Sequence, residues 1–284
     1  MININAAKNT DFLLTRIKQN TPSGNFNFND WIFSNFELPQ EGDILELCCG
    51  TGAQTKFFAQ YVTKNQNIFA VDISQKALDV TVKSCNDMGV SVVPINSGLD
   101  EFQNHIPVDK RFSICFCSYG LYYANDVDIV LNNIKDRLLP NGILVIVGPY
   151  NNNNNELFYL LRDSNVIIPD DVFSSSAVFM TKTVVPFMLD NFESVIINTA
   201  RNPVKWDTAN DVISYWENTT FYDNEKHINV EKSLTEHFNN SAYFINTKHI
   251  MCAVARNILA PPPPKNRINI EIFYFFFLHG KATK

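Results

Sequence analysis

The fold of this 284-residue chain is decided by the stretch Asp43-Ile-Leu-Glu-Leu-Cys-Cys-Gly-Thr-Gly-Ala-Gln-Thr55. Its apolar first half is typical of a buried strand and carries one acid, Glu46. Gly50 and Gly52 follow, and because they lack side chains they accept positive φ and let a ligand approach the backbone closely. A helix that begins after them directs free N–H groups at the turn, which favours an anionic group there. The stretch therefore predicts a strand, a ligand-binding turn and a helix.

A second acid closes the next apolar run, Asn67-Ile-Phe-Ala-Val-Asp72. An acid about 20 residues after such a turn is suited to hydrogen-bond the hydroxyls of a ribose. The turn and Asp72 together indicate a cofactor that contains a nucleoside.

Two cofactor classes fit this outline, and the glycine spacing separates them. A dinucleotide-binding turn has the pattern G-x-G-x-x-G/A, and Gly50-Thr-Gly-Ala-Gln-Thr55 lacks its third glycine. Glu46 has no role in that pattern. The stretch instead resembles motif I of the class I S-adenosylmethionine (SAM)-dependent methyltransferases, close to (V/I)-L-(D/E)-x-G-C-G-T-G, with Cys48 in place of the first glycine. The resemblance covers about residues 30–257 and is most specific at motif I and Asp72.

The resemblance implies a set of SAM-binding residues. The methionine part would be held by Glu46, by the backbone near Cys49 and Cys117, and by the turn from Gly50 to Gly52. The ribose hydroxyls would bind Asp72, and adenine would pack on Ile73. Where the family has an acid for the adenine amino group, this chain offers Asn96 and Ser97.

The residues that would contact the methyl acceptor are less defined. After the fourth predicted strand comes Tyr119-Gly-Leu-Tyr-Tyr-Ala124, which resembles the family's segment ending in Leu-His-His but lacks the histidines. Tyr119 and Tyr122 are the candidate catalytic residues. No histidine base can be carried over, so the general base is left open.

The pattern from Asp43 onward alternates short apolar runs with longer amphipathic segments, which is typical of βαβ units. Strands are predicted at 43–49, 67–73, 90–96, 112–118 and 143–149, and helices at 53–63, 74–88 and 126–139. Two later apolar runs, 193–200 and 242–254, match the antiparallel pair that ends methyltransferase-like sheets. The expected fold is α/β: a Rossmann-like, doubly wound, seven-stranded and mostly parallel sheet with helices on both faces.

Three parts are expected along the chain. Residues 1–42 form an N-terminal helical cap, 43–257 a SAM-dependent methyltransferase domain, and 258–284 a Pro-rich linker and apolar tail outside the core. An insertion at 150–192 is either a lid over the substrate pocket or an extension of the core. Its tract Asn151–Asn155 is expected to be a solvated loop.

The composition of the chain limits the classes of partner that it is expected to bind. A net charge of −6 and a pI near 5.4 argue against nucleic acid, which requires a basic stripe, and against an anionic membrane surface. The six cysteines have no metal-ligand spacing, so no metal is expected, and free thiols favour the cytoplasm. The apolar tail is too short to span a bilayer as a helix.

The leading function is methyl transfer from SAM to a small-molecule acceptor. One alternative is a SAM-binding protein of another class, either a cyclase or lyase that produces methylthioadenosine or a non-catalytic partner. A third is an NAD-dependent dehydrogenase. The sequence defines neither the acceptor atom nor the oligomeric state.

Overall fold

The computed structural model describes residues 9–19, 26–257 and 270–274. Eight strands lie in one sheet: β1 Ile44–Leu47, β2 Ile68–Asp72, β3 Val92–Asn96, β4 Phe112–Ser118, β5 Leu138–Pro149, β6 Ser194–Trp206, β7 Phe244–Arg256 and β8 Ile270–Tyr274. Their order across the sheet is β3-β2-β1-β4-β5-β7-β6-β8. The first five strands are parallel, and β7 is antiparallel to both β5 and β6. The predicted α/β sheet with its antiparallel pair is confirmed.

The helices flank this sheet. They are α1 Thr10–Gln19, α2 Phe28–Phe33, α3 Ala53–Ala59, α4 Gln75–Asn86, α5 Val127–Asp136, α6 Asn155–Asp163, α7 Asp170–Ala177, α8 Val185–Asn191, α9 Ala209–Glu217 and α10 His227–Asn240. A π-helical turn, Met180–Val184, leads into α8. Short 3₁₀ turns occupy Phe102–His105, Leu121–Tyr123 and Asn224–Lys226.

The alternation of buried side chains explains why helices cover both faces. In β1, Leu45 and Leu47 belong to the apolar core on one face, whereas Ile44 belongs to the core on the other. Every residue of β1 is buried, as expected for a central parallel strand. Strand order reverses at β1, whose neighbours are β2 and β4, and ligands bind at the carboxyl ends of strands at such a reversal.

The antiparallel pair extends past the parallel half of the sheet. Pairing between β5 and β7 stops at Pro149 and Ile250, but β6 and β7 continue to Trp206 and Phe244. The first residues of β7 therefore project beyond the carboxyl end of β5. A third apolar core, which includes Trp206, packs on this extension.

The segment Leu139–Gly142 differs from the sequence prediction, which ended a helix at 139 and began the fifth strand at 143. It lies within β5, where the register shifts between the Phe112 and Ile114 pairs. Phe112 pairs with Leu138 and Ile114 with Ile143, so β5 bulges there and continues as a strand. The breaker residues bend the chain without ending the element.

The tract Asn151–Asn155 also differs from the expectation of a solvated loop. Asn153 and Asn154 are buried. Asn153 bonds through its side chain to Ser176 and to the backbone N–H of His249. Buried polar groups require partners, and these amides find theirs on α7 and β7. The tract thus fastens the insertion to the sheet.

The insertion at 150–192 contributes to two cores. Leu157 and Phe158 of α6 lie in the third core, and Met180 and Met188 lie in the core that contains Leu45. Its role as a lid stays a prediction.

Strand β8 lies at the sheet edge, parallel to β6, with Val195 paired to Ile270. The rest of the expected tail, 258–269 and 275–284, lies outside the described residues, as do 1–8 and 20–25. The domain boundaries at 42 and 257 stay predictions.

Candidate cofactor and substrate site

The turn after β1 has the backbone that its glycines predicted. Gly50 has φ +55° and Gly52 has φ +78°, and Cys48 shares the left-handed region at φ +55°. The N–H of Gly52 donates to the carbonyl of Cys49 at 3.0 Å, which closes the turn just before α3. Glycine is the residue that adopts these dihedrals without strain. We call residues 48–52 the glycine turn.

Asp72 lies at the carboxyl end of β2, directly beside the glycine turn. Its Oδ2 accepts the Gly50 N–H at 2.8 Å and its Oδ1 accepts the Ser74 N–H at 2.9 Å. Burial raises the pKa of Asp72, and these backbone N–H groups partly oppose that rise. A carboxylate has about four acceptor sites, so two remain for hydroxyl donors. The sequence indicated a ribose contact at Asp72 but not its second role, which is to hold the turn.

Glu46 points a buried carboxyl group into the same region. Its side chain is 1% exposed, and Oε2 has no hydrogen-bond partner among the described residues. Burial is the main cause that raises its pKa to about 8, and the nearby Asp72 charge adds to the effect. A buried polar atom without a partner is costly, so this oxygen is suited to a cationic ligand group such as the ammonium of a bound amino acid.

The candidates for adenine lie beside Asp72. The Asn96 amide nitrogen donates to the carbonyls of Asp72 and Ile73, at 3.1 and 3.0 Å. Its amide oxygen is thereby oriented outward as an acceptor. The Ser97 hydroxyl donates to the Gly98 carbonyl, so it has less to offer a ligand. Ile73 is 47% exposed and presents an apolar surface at this edge.

The two cysteine candidates are buried, and their side chains belong to the apolar cores. Cys49 packs in the core on one face of the sheet and Cys117 in the core on the other. The sequence missed Gly120, where an added Cβ would collide with Cys48. This close approach holds the segment after β4 against the glycine turn.

The tyrosine segment follows β4 at the same edge. Tyr119 has φ +55° and its ring lies edge-on to Phe28 at 5.9 Å between centroids. The hydroxyl of Tyr122 donates to the Tyr119 carbonyl at 2.8 Å, and its ring contacts Phe179 of the insertion. A cavity of about 400 Å³ is lined by Tyr122 and Phe179 together with residues of α5 and α7. Burial raises the pKa of both tyrosines, so both are neutral hydroxyl groups.

Helix α1 crosses over the glycine turn. Leu13 is close to Gly50, where an added Cβ would lie 3.1 Å from Leu13 Cδ2. The Thr10 hydroxyl bonds to that of Ser74 at 3.0 Å, and Asp11 pairs with Lys76 of α4. These contacts place the N-terminal cap on the candidate cofactor site.

A polar group that the sequence did not single out lies where β7 passes β5. Lys248 is buried and donates hydrogen bonds to the Asn154 amide oxygen and, at 2.8 Å, to the Tyr215 hydroxyl. The one indication of this polar group in the sequence is a lysine within the apolar run 242–254. The partners come from α9 and from just before α6, which no local pattern connects.

Two kinds of site are not found in the part of the chain that the structure describes. It contains no cluster of three or more His, Cys, Asp or Glu side chains that could hold a metal ion. Nor does any single described helix have the length and apolar composition of a membrane span; one bent pair, Asp170–Ala177 with Met180–Asn191, meets that test only when taken together.

The fold and the glycine turn define a class, and the comparisons with known proteins agree with it. Residues 44–142 match a family model described as a methyltransferase domain. A putative methyltransferase from Bacillus halodurans superposes with a TM-score of 0.57 at 13% identity, over 81% of this chain and 98% of that one. Residues 44–142 are thus similar to a methyltransferase domain, and the chain as a whole has the fold of that solved structure.

Curated relatives are similar over the same region. The demethylmenaquinone methyltransferase of Lactobacillus johnsonii is 31% identical over 119 residues, 40% of this chain and 48% of that protein. A ubiquinone biosynthesis O-methyltransferase of Rickettsia bellii is 23% identical over 115 residues, 40% of this chain and 45% of that protein. The matched part thus spans about half the length of these relatives.

Proposed function

We propose that this protein transfers a methyl group from SAM to a small-molecule acceptor. The observation that carries the proposal is the partnerless Oε2 of buried Glu46, beside the glycine turn and Asp72. The Glu46 carboxyl group would face the ammonium of the ligand, and the Asp72 carboxylate, which accepts the Gly50 N–H 22 residues earlier in the chain, would bind the ribose hydroxyls. SAM contains both groups.

The proposed roles follow from this arrangement. Glu46 and the backbone from Cys49 to Gly52 hold the methionine part, with the Cys117 backbone on its other side. Asp72 binds the ribose. Around adenine, Ile73 supplies apolar contact and the Asn96 amide oxygen accepts the amino group, with Ser97 adjacent. Tyr119 and Tyr122 line the acceptor side.

Methyl transfer from a sulfonium requires little covalent help, because the donor is already activated. The protein must align the acceptor atom with the methyl group and exclude water, and it must remove a proton where the acceptor carries one. The carboxyl edge of the sheet, beside α1 and the insertion, is suited to this task because it is buried.

A small acceptor is supported by the acidic net charge of −6 and by the relatives' names, which point to quinone precursors for those proteins. Nucleic acid and stable membrane insertion are not expected as partners. We propose a cytoplasmic location, since all six cysteines are free thiols.

The test is calorimetry with SAM, followed by product analysis against a panel of quinols, phenols and amines. Methyl transfer produces S-adenosylhomocysteine together with a methylated acceptor. Methylthioadenosine as the product would favour the cyclase or lyase alternative. Binding of NADH without SAM binding would overturn the proposal in favour of a dehydrogenase.

A further inference from the structure

Lys248 and Tyr215 form a buried pair that the roles assigned above do not use. Lys248 Nζ lies 2.8 Å from the Tyr215 hydroxyl oxygen, to which its charged form donates, and 4.2 Å from the centre of the Tyr215 ring. Its other acceptor is the amide oxygen of Asn154, itself buried. Lys248 is 7% exposed and Tyr215 is 6% exposed. Water therefore reaches neither group freely.

The surroundings disfavour a permanent charge on this lysine. Among the described residues, no ion pair within 4.0 Å includes Lys248. Glu156 is the carboxylate that favours its charged form, but both Glu156 oxygens already accept hydrogen bonds from Thr247. Burial is the largest influence and lowers the pKa of Lys248, and the guanidinium of Arg16 on α1 acts in the same direction. A lowered pKa favours loss of a proton from Lys248, and the resulting neutral amine can accept a proton from the Tyr215 hydroxyl.

The pair lies at the edge of the sheet where the candidate acceptor side is. Lys248 precedes Ile250, which pairs with the last residue of β5, so it lies beyond the carboxyl end of that strand. A negative charge on Tyr215 raises the pKa values of Tyr119 and Tyr123, as a smaller influence than burial. Helix α9, which carries Tyr215, also contacts α1. Tyr215 thus lies on a helix that packs beside α1, the helix that covers the glycine turn.

We propose that Tyr215 is the proton acceptor of the methyl transfer and that Lys248 positions it and takes its proton. The inference rests on the proposed function and assigns the general base that the sequence analysis left open. The acceptor class is one with a proton on the reacting atom, such as a phenol or a quinol.

The step balances in atoms and charge. The oxygen of the acceptor forms a bond to the methyl carbon, the carbon–sulfur bond breaks, and its electron pair stays on sulfur. The acceptor's O–H proton passes to the Tyr215 oxygen, while the Tyr215 proton passes to the neutral Nζ of Lys248. The resulting ammonium is stabilised by Asn154 and Glu156 and loses the proton to solvent after the product leaves.

The chain contains a second lysine–tyrosine pair, which serves as a control. Lys205 of β6 lies 5.0 Å from the ring centre of Tyr243, which precedes β7, and it pairs with Asp207. Tyr243 is 42% exposed. This pair has the same chemistry but is open to water.

The first measurement is a pH titration of lysine ¹³Cε shifts by NMR, with Lys248 assigned by its loss in Lys248→Met. We expect Lys248 to titrate below the ordinary value of about 10.4. Tyr215→Phe should lower the Lys248 pKa further, because the Tyr215 hydroxyl favours the ammonium. An ordinary titration of Lys248 would overturn the proposal, whatever the acceptor.

The second measurement is turnover against pH with the best phenol or quinol from the acceptor panel. Tyr215→Phe and Lys248→Met should each lower kcat roughly 100-fold or more, the usual contribution of a general base, and abolish the rise of kcat with pH. Their SAM affinity should be unchanged, and Tyr243→Phe should turn over normally. Normal kcat and an unchanged pH profile in both variants would overturn the inference. Loss of SAM binding in the unmodified protein would instead overturn the proposed function.

Discussion

The parallel half of the sheet and its antiparallel extension are built on different principles. In the parallel half, the candidate cofactor site consists of two strand ends, and the Gly50 N–H meets the Asp72 carboxylate only 22 residues away. In the extension, Lys248 meets Tyr215 at a separation of 33 residues and Asn154 at 94. The first site depends on backbone shape, which a short motif records. The second depends on side chains that only the folded chain brings together.

The largest effect should come from filling the glycine turn. At Gly52 an added Cβ would lie 2.8 Å from the Thr81 side chain, and a branched residue resists φ +78°. Gly52→Val should abolish SAM binding by calorimetry, and Gly50→Val should do the same. The control is Gly89→Val, since Gly89 has φ +74° with nothing within 4 Å. If Gly52→Val binds SAM as well as Gly89→Val does, the turn is not the cofactor site.

Asp72 should come next. Charge-assisted hydrogen bonds to two ribose hydroxyls are worth roughly 1.5–3 kcal/mol each, so Asp72→Ala should weaken SAM binding at least about tenfold. Asp43→Ala is the matched control: Asp43 accepts the Asn67 N–H at 2.7 Å and joins the same two strands at their other ends. Both variants should lose stability, but only Asp72→Ala should lose SAM affinity. Equal SAM affinity in the two would assign Asp72 a purely structural role.

A substitution in the asparagine tract tests whether its buried amides stabilise the antiparallel extension. Asn154→Ala removes the acceptor of the buried Asn246 amide and of Lys248. An unsatisfied buried donor costs roughly 1–3 kcal/mol, so the free energy of unfolding in urea should fall by about that amount. Asn152→Ala, at an exposed position of the same tract, should be near neutral. Equal stabilities would restore the view of the tract as a solvated loop.

Glu46 should couple SAM binding to proton release. Its pKa of about 8 in the folded protein means that it is protonated near neutral pH. A bound ammonium favours the carboxylate, so SAM binding at about pH 7 should release close to one proton. Calorimetry in two buffers of different ionisation enthalpy measures this release, and Glu46→Gln should eliminate it.

The same residue predicts a slope in stability. The folded pKa of Glu46 exceeds the unfolded value of about 4.5, so its protonated form favours the fold and stability declines as pH rises from 4.5 towards 8. Glu46→Gln should flatten that decline. An unchanged slope and unchanged proton release would mean that Glu46 is ionised in the free protein.

The smallest effect is expected at the chain end. A chain that stops at Asn257 loses β8, which contacts only the edge strand β6 within the described sheet. Melting temperature and SAM affinity should be retained, and solubility should increase with the loss of the apolar run 268–278. A large drop in melting temperature would make β8 an integral strand and move the domain boundary.

These contrasts show what the sequence could convey. The strands β1 to β4 and the helix α4 lie within a few residues of their predicted bounds, because apolar periodicity and caps such as Ser74 are local signals. The glycine turn and Asp72 were recognisable because their backbone demands particular residue types at fixed spacing. Leu139–Gly142 was misjudged because strand pairing overrode the breaker residues.

The residues on the acceptor side of the site had no comparable local pattern in the sequence. Nothing in an asparagine repeat distinguishes buried Asn153 and Asn154 from their exposed neighbours. Nothing in the sequence around Lys248 predicts that Tyr215 is its partner. Long-range contacts between side chains decide both.

Helix α1 has a consequence for how tightly SAM is measured to bind. Leu13 lies over Gly50, and the Asp11–Lys76 and Thr10–Ser74 contacts hold α1 there, so we expect a ligand at the turn to displace the helix. The apparent dissociation constant then exceeds the intrinsic one by the reciprocal of the fraction of molecules in which the helix is displaced. The Asp11–Lys76 pair is exposed and therefore screened by salt. Raising ionic strength should loosen the helix and speed both the entry and the departure of the cofactor, so exchange kinetics will depend on a contact that SAM itself never touches.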